Sequence, residues 1–277
     1  MFAALFLTPV VGVVRGAVSY SVLGETISQN FDGLPSAGTT SLTGSATVGN
    51  QVGVPGVGGW ELAKVGGSAT LDSTLNTAYS TGGRFYAMGT VVGARALVAL
   101  GSGSFFGASG TSLINDTGMA IEGFAVSFAS EIWGVQGTTT ATASEDRLAF
   151  AYGFSGGLAT AANYLSSPAL VAFAALDAVS PASQAVTGAV SGTDPARLRD
   201  GNGEGFRRVV SGTVSGISWE PGQTLFLRWS DADTSGFDAM MGVDDFAFTA
   251  AVPEPSSSVL GAVAAVGLLS RRRRQGV

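Results

Sequence analysis

The sequence predicts an all-β protein, a single antiparallel β-sandwich of jelly-roll type, and three observations carry that prediction. Apolar side chains recur at every second position over strand-length stretches, the pattern of half-buried strands. The 41 glycines, mixed with many Ser and Thr, suit turns and strands, whereas each interior Gly costs a helix about 1 kcal/mol. Apolar residues make up 45% of the 277 against 12% charged, enough to build one large core and too few charges for a solvated disordered chain.

Taken in order, the predicted strands lie in "AVSYSVLGETISQNF", "GRFYAMGTVV", "ARALVAL", "MAIEGFAVSFASEIWGV", "DRLAFAYGFSG", "ALVAFAALD", "RRVVSGTVSGISW", "TLFLRWS" and "VDDFAFTA", separated by Gly-rich turns. Within them Phe124, Val126 and Phe128 share a face, as do Leu148, Phe150, Tyr152 and Phe154. Leu225, Leu227 and Trp229 oppose Phe226 and Arg228. About ten to thirteen strands are expected on this spacing. Helical periodicity is confined to 159–165 and the Ala-rich stretch 170–179. The Gly/Ser/Thr-rich stretch 37–59 reads as a long loop or an early hairpin, and no short repeat suggests a β-helix. The body, 18–251, is therefore read as one domain.

Both ends read as addresses. Residues 1–17 hold an apolar run, Phe2 to Val14, followed by small residues, as in a secretory signal peptide cut near Gly16 or Ala17. No Lys or Arg precedes that run, and the alternative is a buried N-terminal strand or helix. At the other end, 252–277, Val252, Pro253, Glu254 and Pro255 precede an apolar run from Val259 to Leu269 and then Arg271, Arg272, Arg273 and Arg274. Prolines restrict their neighbours to extended backbone, which keeps this segment open. Eleven helical residues rise about 17 Å against a hydrocarbon core of roughly 30 Å, suited to a short transmembrane helix that engages a membrane transiently. The arginines mark the cytoplasmic side, which places the body outside.

Those three parts in series resemble the PEP-CTERM sorting signal of Gram-negative bacteria. The resemblance covers about the last 25 residues, and it implies a membrane-embedded exosortase that cleaves the tail and releases the body to the cell surface or extracellular matrix. It also implies an association with exopolysaccharide and biofilm. The alternative is an ordinary single-pass anchor. The order of "FDGLP", "PGQTLFLRWSD" and "GVDDFAFTA" is similar to all-β ectodomains carried ahead of such tails, and the closing strand is similar to the last strand of concanavalin-like and carbohydrate-binding jelly rolls.

Chemistry is restricted by what the chain lacks. With neither Cys nor His, a Ser-His-Asp triad, a Cys nucleophile, a disulfide and an ordinary zinc site are excluded. Setting aside Arg15, the terminal arginines and Glu254 leaves about 9 cations against 19 anions, so the body carries roughly −10 and repels nucleic acid. The densest carboxylates lie in "WSDADTSGFDAMMGVDDF", where Asp231, Asp233, Asp238, Asp244 and Asp245, with Asp32, are candidate ligands for Ca²⁺. The segment lacks the EF-hand glycine and final Glu, and the competing reading is a solvated acidic turn.

A glycosidase needs two facing carboxyls about 5 to 9.5 Å apart. Glu122 and Glu131, nine residues apart, fall on opposite faces of one strand, and Glu145 with Asp146 reads as a turn before a strand. No catalytic residue is therefore nominated, and "GNGEGF" with no following helix gives no phosphate site. Trp60, Trp133, Trp219 and Trp229 fill a core as readily as they stack on sugars. The expected function is a non-catalytic exported surface or matrix protein. A calcium-dependent carbohydrate-binding module is the alternative, and a carbohydrate-active enzyme the second alternative.

Overall fold

The computed structural model describes residues 16–41, 51–64, 70–73, 83–91, 93–138, 144–188, 193–231, 233 and 237–250. The predicted signal segment, apart from Gly16 and Ala17, and all of the predicted sorting tail lie outside the described residues. Among the described residues no helix is long and apolar enough to cross a membrane.

Eighteen strands occur among them, more than the ten to thirteen expected. In chain order they are β1 (Val18–Tyr20), β2 (Thr26–Gln29), β3 (Gly38–Ser41), β4 (Gln51–Gly53), β5 (Trp60–Lys64), β6 (Thr70–Ser73), β7 (Arg84–Val91), β8 (Ala94–Leu100) and β9 (Gly107–Asn115). They continue with β10 (Ile121–Gly134), β11 (Gly137–Thr138), β12 (Asp146–Phe154), β13 (Val171–Ala172), β14 (Ala178–Ser180), β15 (Val186–Thr187), β16 (Arg207–Trp219), β17 (Thr224–Asp231) and β18 (Met240–Ala250). The stretch read as a long loop or an early hairpin contains β3 and β4, which belong to different sheets and do not pair with each other. The two stretches with helical periodicity form no α-helix: 161–166 is a set of turns, and 170–179 holds β13, a 3₁₀ turn and the start of β14.

The strands form two eight-stranded sheets. One runs β13-β12-β17-β9-β5-β4, with β1 beside β9 and β14 beside β12; the other runs β16-β10-β18-β8-β7-β6-β3, with β2 beside β18. Pairing is antiparallel except at β1–β9, β6–β7 and the small β11–β15 pair. From β9 onward the long strands alternate between sheets: β9, β12 and β17 lie in the first, and β10, β16 and β18 in the second. Each crossing lays an apolar face of one sheet on the other, so the period-two pattern becomes a single core between them.

That core contains Leu148, Phe150, Leu225, Leu227 and Trp229 from the first sheet and Phe124, Val126, Phe128, Phe246 and Phe248 from the second. Trp229 is fully buried. Its ring stacks on Trp60 at 5.3 Å and meets Phe150, Phe128 and Phe246 edge-on at 5.0, 5.5 and 5.8 Å. All four tryptophans are buried, so none is available to a ligand.

Each sheet also carries a cover on its outer face. Over the first, Phe226 stacks on Tyr164 at 4.9 Å within a cluster that includes Leu165 and Leu170. Buried Gln51 pins this cover: its Nε2 donates to the Ala161 carbonyl at 2.7 Å and its Oε1 accepts from the Leu165 N–H at 2.9 Å. Over the second, Trp133, Met88, Val98 and Met240 cluster with Leu198 packed against them. The first and last described strands meet at Tyr20, whose hydroxyl accepts from the Ala250 N–H at 3.0 Å and donates to the Glu25 carbonyl at 3.0 Å.

Truncating the aromatic hub should cost the most of any single core change. Trp229→Ala is expected to lower unfolding stability by about 3–5 kcal/mol, read as a lower urea midpoint at unchanged m, and Trp229→Phe by less.

Candidate functional site

Three groupings of polar or exposed aromatic side chains stand out, at three separate places on the sandwich. The first is an open cleft of about 500 Å³ where the rim of the first sheet approaches β16, the edge strand of the second. Tyr152, Gly153 and Phe154 of β12, Val171 of β13, Ile217 and Ser218 of β16, and the turns at 155–157 and Gln223 line it. Period-two alternation puts Tyr152 and Phe154 on the core face of β12, but here the core runs out and both rings are half-buried. Tyr152 is held edge-on by Phe124 at 5.5 Å, Phe154 at 6.2 Å and Phe173 at 6.4 Å, while Val171 is 56% exposed.

The polar wall of the cleft is equally fixed. Gln223 Nε2 donates to the Ser155 carbonyl at 2.9 Å, and its Oε1 accepts from the Glu220 N–H at 3.1 Å. Ser155 Oγ accepts from the Thr224 N–H at 2.9 Å, and Ser218 Oγ donates to Glu220 at 2.5 Å. Gly222, at φ +75°, permits the tight turn that presents Gln223.

The second grouping surrounds a β-bulge in β18. Ser127 pairs with Ala247 but Ala129 with Asp244, so Asp245 and Phe246 together oppose Phe128. Asp245 takes up the extra residue at φ +44°, a left-handed conformation that Asp tolerates better than most residues. The bulge puts both carboxyls away from the core. Asp245 is mostly exposed and pairs with Arg207 Nη2. Asp244 is buried beside Glu131, which is completely inaccessible. Glu131 accepts from Trp133 Nε1 at 3.0 Å and from Arg207 Nε at 3.3 Å.

Burial, and then the neighbouring Glu131 charge, push Asp244 up to about 8. Burial also raises Glu131, although the bonds from Trp133 and Arg207 oppose that. Both carboxyls are thus pushed towards their protonated forms, and the Arg207 guanidinium opposes that shift at each.

The third grouping is at the far end of β12 and β17. Asp231 continues the core face of Leu225, Leu227 and Trp229, and Asp146 continues that of Leu148 and Phe150. Leu148 pairs with Asp231, so Asp146 is its diagonal neighbour across the two strands. Asp146 Oδ2 accepts from the Ala239 N–H at 2.7 Å and Oδ1 from the Arg147 N–H at 2.8 Å. Burial raises Asp146 despite those bonds. Asp231, only 2% exposed, has no hydrogen-bond partner on either oxygen. The Gly101 N–H favours its anion without reaching hydrogen-bond geometry, while burial and then the charges of Asp146, Asp238 and Asp233 push it well upward.

The five aspartates expected to gather at one calcium site are thus divided. Asp231, Asp233 and Asp238 join Asp146, whereas Asp244 and Asp245 face Glu131 and Arg207 because the bulge re-aims them. Asp32 belongs to neither; it accepts from Asn30 Nδ2 at 2.8 Å within its own turn. Among the described residues no three carboxylates stand in the geometry of a metal centre. Asp146 was read as a turn residue but is the fully buried first residue of β12, while Glu145 is exposed and pairs with Arg147. Glu122 is exposed and remote in character from buried Glu131. Val252, Pro253, Glu254, Pro255 and Arg271 to Arg274 lie outside the described residues.

Fold and groupings together define an all-β sandwich with a cleft at its open edge. No family model matches the sequence, and no curated protein matches it. Solved structures with some likeness include TmCBM61 in complex with beta-1,4-galactotriose, at 11% identity and TM-score 0.28 over 57% of this chain and 72% of that one. The K3 adhesin domain of Lys-gingipain from Porphyromonas gingivalis aligns at 14% identity and TM-score 0.36, over 81% and 98%. The CBM22-1 xylan-binding domain of Paenibacillus barcinonensis Xyn10C aligns at 14% and 0.32, over 83% and 97%. Likeness at this level assigns neither family nor ligand.

The acid pair at the bulge gives a pH signature. A carboxyl held up to about 8 in the fold, against an ordinary value of 3.8, stabilises the fold fully below about pH 4. That stabilisation is lost as pH rises towards 8. Thermal melts between pH 5 and 9 should therefore show a falling melting temperature that Asp244→Asn flattens, because the amide keeps a donor and cannot ionise.

Proposed function

We propose that this protein is an exported, non-catalytic module that binds extracellular polysaccharide in the cleft between β12 and β16. The observation that carries this reading is the pairing of half-buried aromatic rings, Tyr152 and Phe154, with hydroxyl and amide groups that neighbouring turns hold rigid. A sugar presents an apolar face of C–H groups and an equatorial rim of hydroxyls, and such a cleft meets both. An opening at the sandwich edge also admits a long chain from either side. Among the described residues that line the cleft none is a carboxylate, which supports binding over hydrolysis.

Export rests on the sequence. The PEP-CTERM-like order of Val252 to Pro255, apolar run and arginines supports delivery by way of the inner membrane, exosortase cleavage and release to the cell surface. Polysaccharide in the matrix is then the ligand within reach.

Binding is tested by titrating bacterial exopolysaccharides and defined oligosaccharides into the purified body. Tyr152→Ala should weaken binding about tenfold, the equivalent of losing one stacked ring. Val171→Arg, an exposed change in the cleft wall, should abolish binding and leave the melting temperature nearly unchanged. Full binding by both variants would place the ligand elsewhere. Mass spectrometry of exported protein should find its C-terminus near Pro253 to Ser256; an intact arginine tail on mature molecules would count against exosortase processing.

A further inference from the structure

The cleft lies at one pole of the sandwich, where β12 and β17 meet as Phe154 pairs with Leu225, and where Ile217 and Ser218 bring in β16. Three exposed carboxylates stand around it, on Asp116, Glu122 and Glu220. Glu220 is directly behind the polar wall: its Oε1 accepts from Ser218 Oγ at 2.5 Å, and its N–H donates to Gln223 Oε1 at 3.1 Å. Asp116 follows Asn115, whose N–H donates to the Gln223 carbonyl at 3.0 Å and whose carbonyl accepts from the Gly222 N–H at 2.7 Å. Glu122 lies opposite the irregular stretch of β16, because Ile121 pairs with Trp219 and Gly123 with Ser215.

The cations of the same strands are placed away from this pole. Arg147 lies at the other end of β12, and Arg207 and Arg208 at the other end of β16. Arg228, midway along β17, donates to the Ser167 carbonyl at 2.8 Å on the outer face. Among the described residues none of the three carboxylates has an ion-pair partner. The wall is matched to these acids. The Ser218 hydroxyl commits its hydrogen to Glu220, so towards a ligand it can only accept. Gln223 Nε2 already donates to the Ser155 carbonyl at 2.9 Å. Such a wall takes hydrogens from sugar hydroxyls and offers little to a carboxylate, which can only accept.

We infer that the cleft takes polysaccharides free of anionic groups, and that Glu220, with Asp116 and Glu122, turns away chains that carry uronate, phosphate or sulfate. The inference rests on the cleft being the glycan site and adds the class of glycan it accepts. Two like charges about 6 Å apart in a water-like medium weaken binding about threefold. Several acids around one entering anion compound that to about tenfold at low salt, and salt screens it. Glu220 is the specificity-determining residue, because the carboxylate that repels the anion is also the group that makes Ser218 an acceptor.

The test is calorimetric titration of the full chain with polymers matched in backbone and differing in charge: polygalacturonate against its methyl ester, and carboxymethyl against hydroxyethyl cellulose. At about 20 mM salt the neutral member of a pair should bind at least about tenfold more tightly, and at about 0.5 M the gap should shrink to threefold or less. Glu122→Gln with Glu220→Gln should narrow the low-salt ratio several-fold; both changes are isosteric and exposed, and an unchanged melting temperature shows that the variant folds. Binding that Tyr152→Ala weakens, but that is equally strong for charged and neutral members, would overturn this inference and leave the cleft reading standing. A ratio that ignores both salt and the double variant would overturn it too. No binding of any of the four polymers would remove the cleft reading and this inference together.

Discussion

The spacing of the two sheets depends on Trp229. Its ring fills the mid-plane of the sandwich against Trp60, Phe128, Phe150 and Phe246, drawing two residues from its own sheet's neighbours and two from the opposite sheet. Aromatic pairs of this kind contribute about 0.5–1.5 kcal/mol each beyond the area they bury. That is needed, because the indole N–H of Trp229 finds no acceptor, a loss of about 1–3 kcal/mol. Packing outweighs the orphaned donor. Farther along β12, at its edge with β16, the core runs out and Tyr152 and Phe154 are only half-covered.

Charge is handled in two contrasting ways inside the same fold. At the bulge, Glu131 and Asp244 sit one strand apart, burial pushes both acids upward, and Arg207, bonded to Glu131, opposes that at each. Beside the start of β18, Asp231 and Asp146 extend the apolar faces of two paired strands, and neither oxygen of Asp231 meets a donor. Nine body cations against nineteen anions make such imbalance hard to avoid. The difference between the two places is a backbone one: the bulge at left-handed Asp245 sets its carboxyl on Arg207, and no bulge does so for Asp231.

Period-two patterning made the large strands legible. The faces of β10, β12 and β17 follow the alternation of Phe124, Leu148 and Leu225 as expected. β9 was not legible, although it lies at the middle of its sheet. Its run Gly107–Asn115 is small and polar because both faces are covered, and at Gly110 a Cβ would come within 2.8 Å of Leu165 and 2.2 Å of the Leu227 carbonyl. Hydrophobicity cannot mark a strand whose requirement is smallness. Site residues divide in the same way. A dense acidic segment pointed to metal chemistry, but the bulge that separates Asp244 from Asp231, and the contribution of Asp146 from a distant strand, have no local signature. The cleft escaped notice for a related reason: Tyr152 and Phe154 carry the same alternation as true core residues, and only the edge of the sandwich leaves them uncovered.

The Tyr20–Ala250 contact bears on the order of folding. β18, the last described strand, is flanked by β10 and β8 and delivers Phe246 and Phe248 to the core, while Tyr20 from β1 closes against its end. No subset of earlier strands can complete the second sheet without it. A chain emerging from its N-terminus must therefore stay open until about residue 250 is available. When it does fold, the Tyr20 hydroxyl of the first described strand closes on the Ala250 N–H of the last, so the two ends of the described body meet across the two sheets.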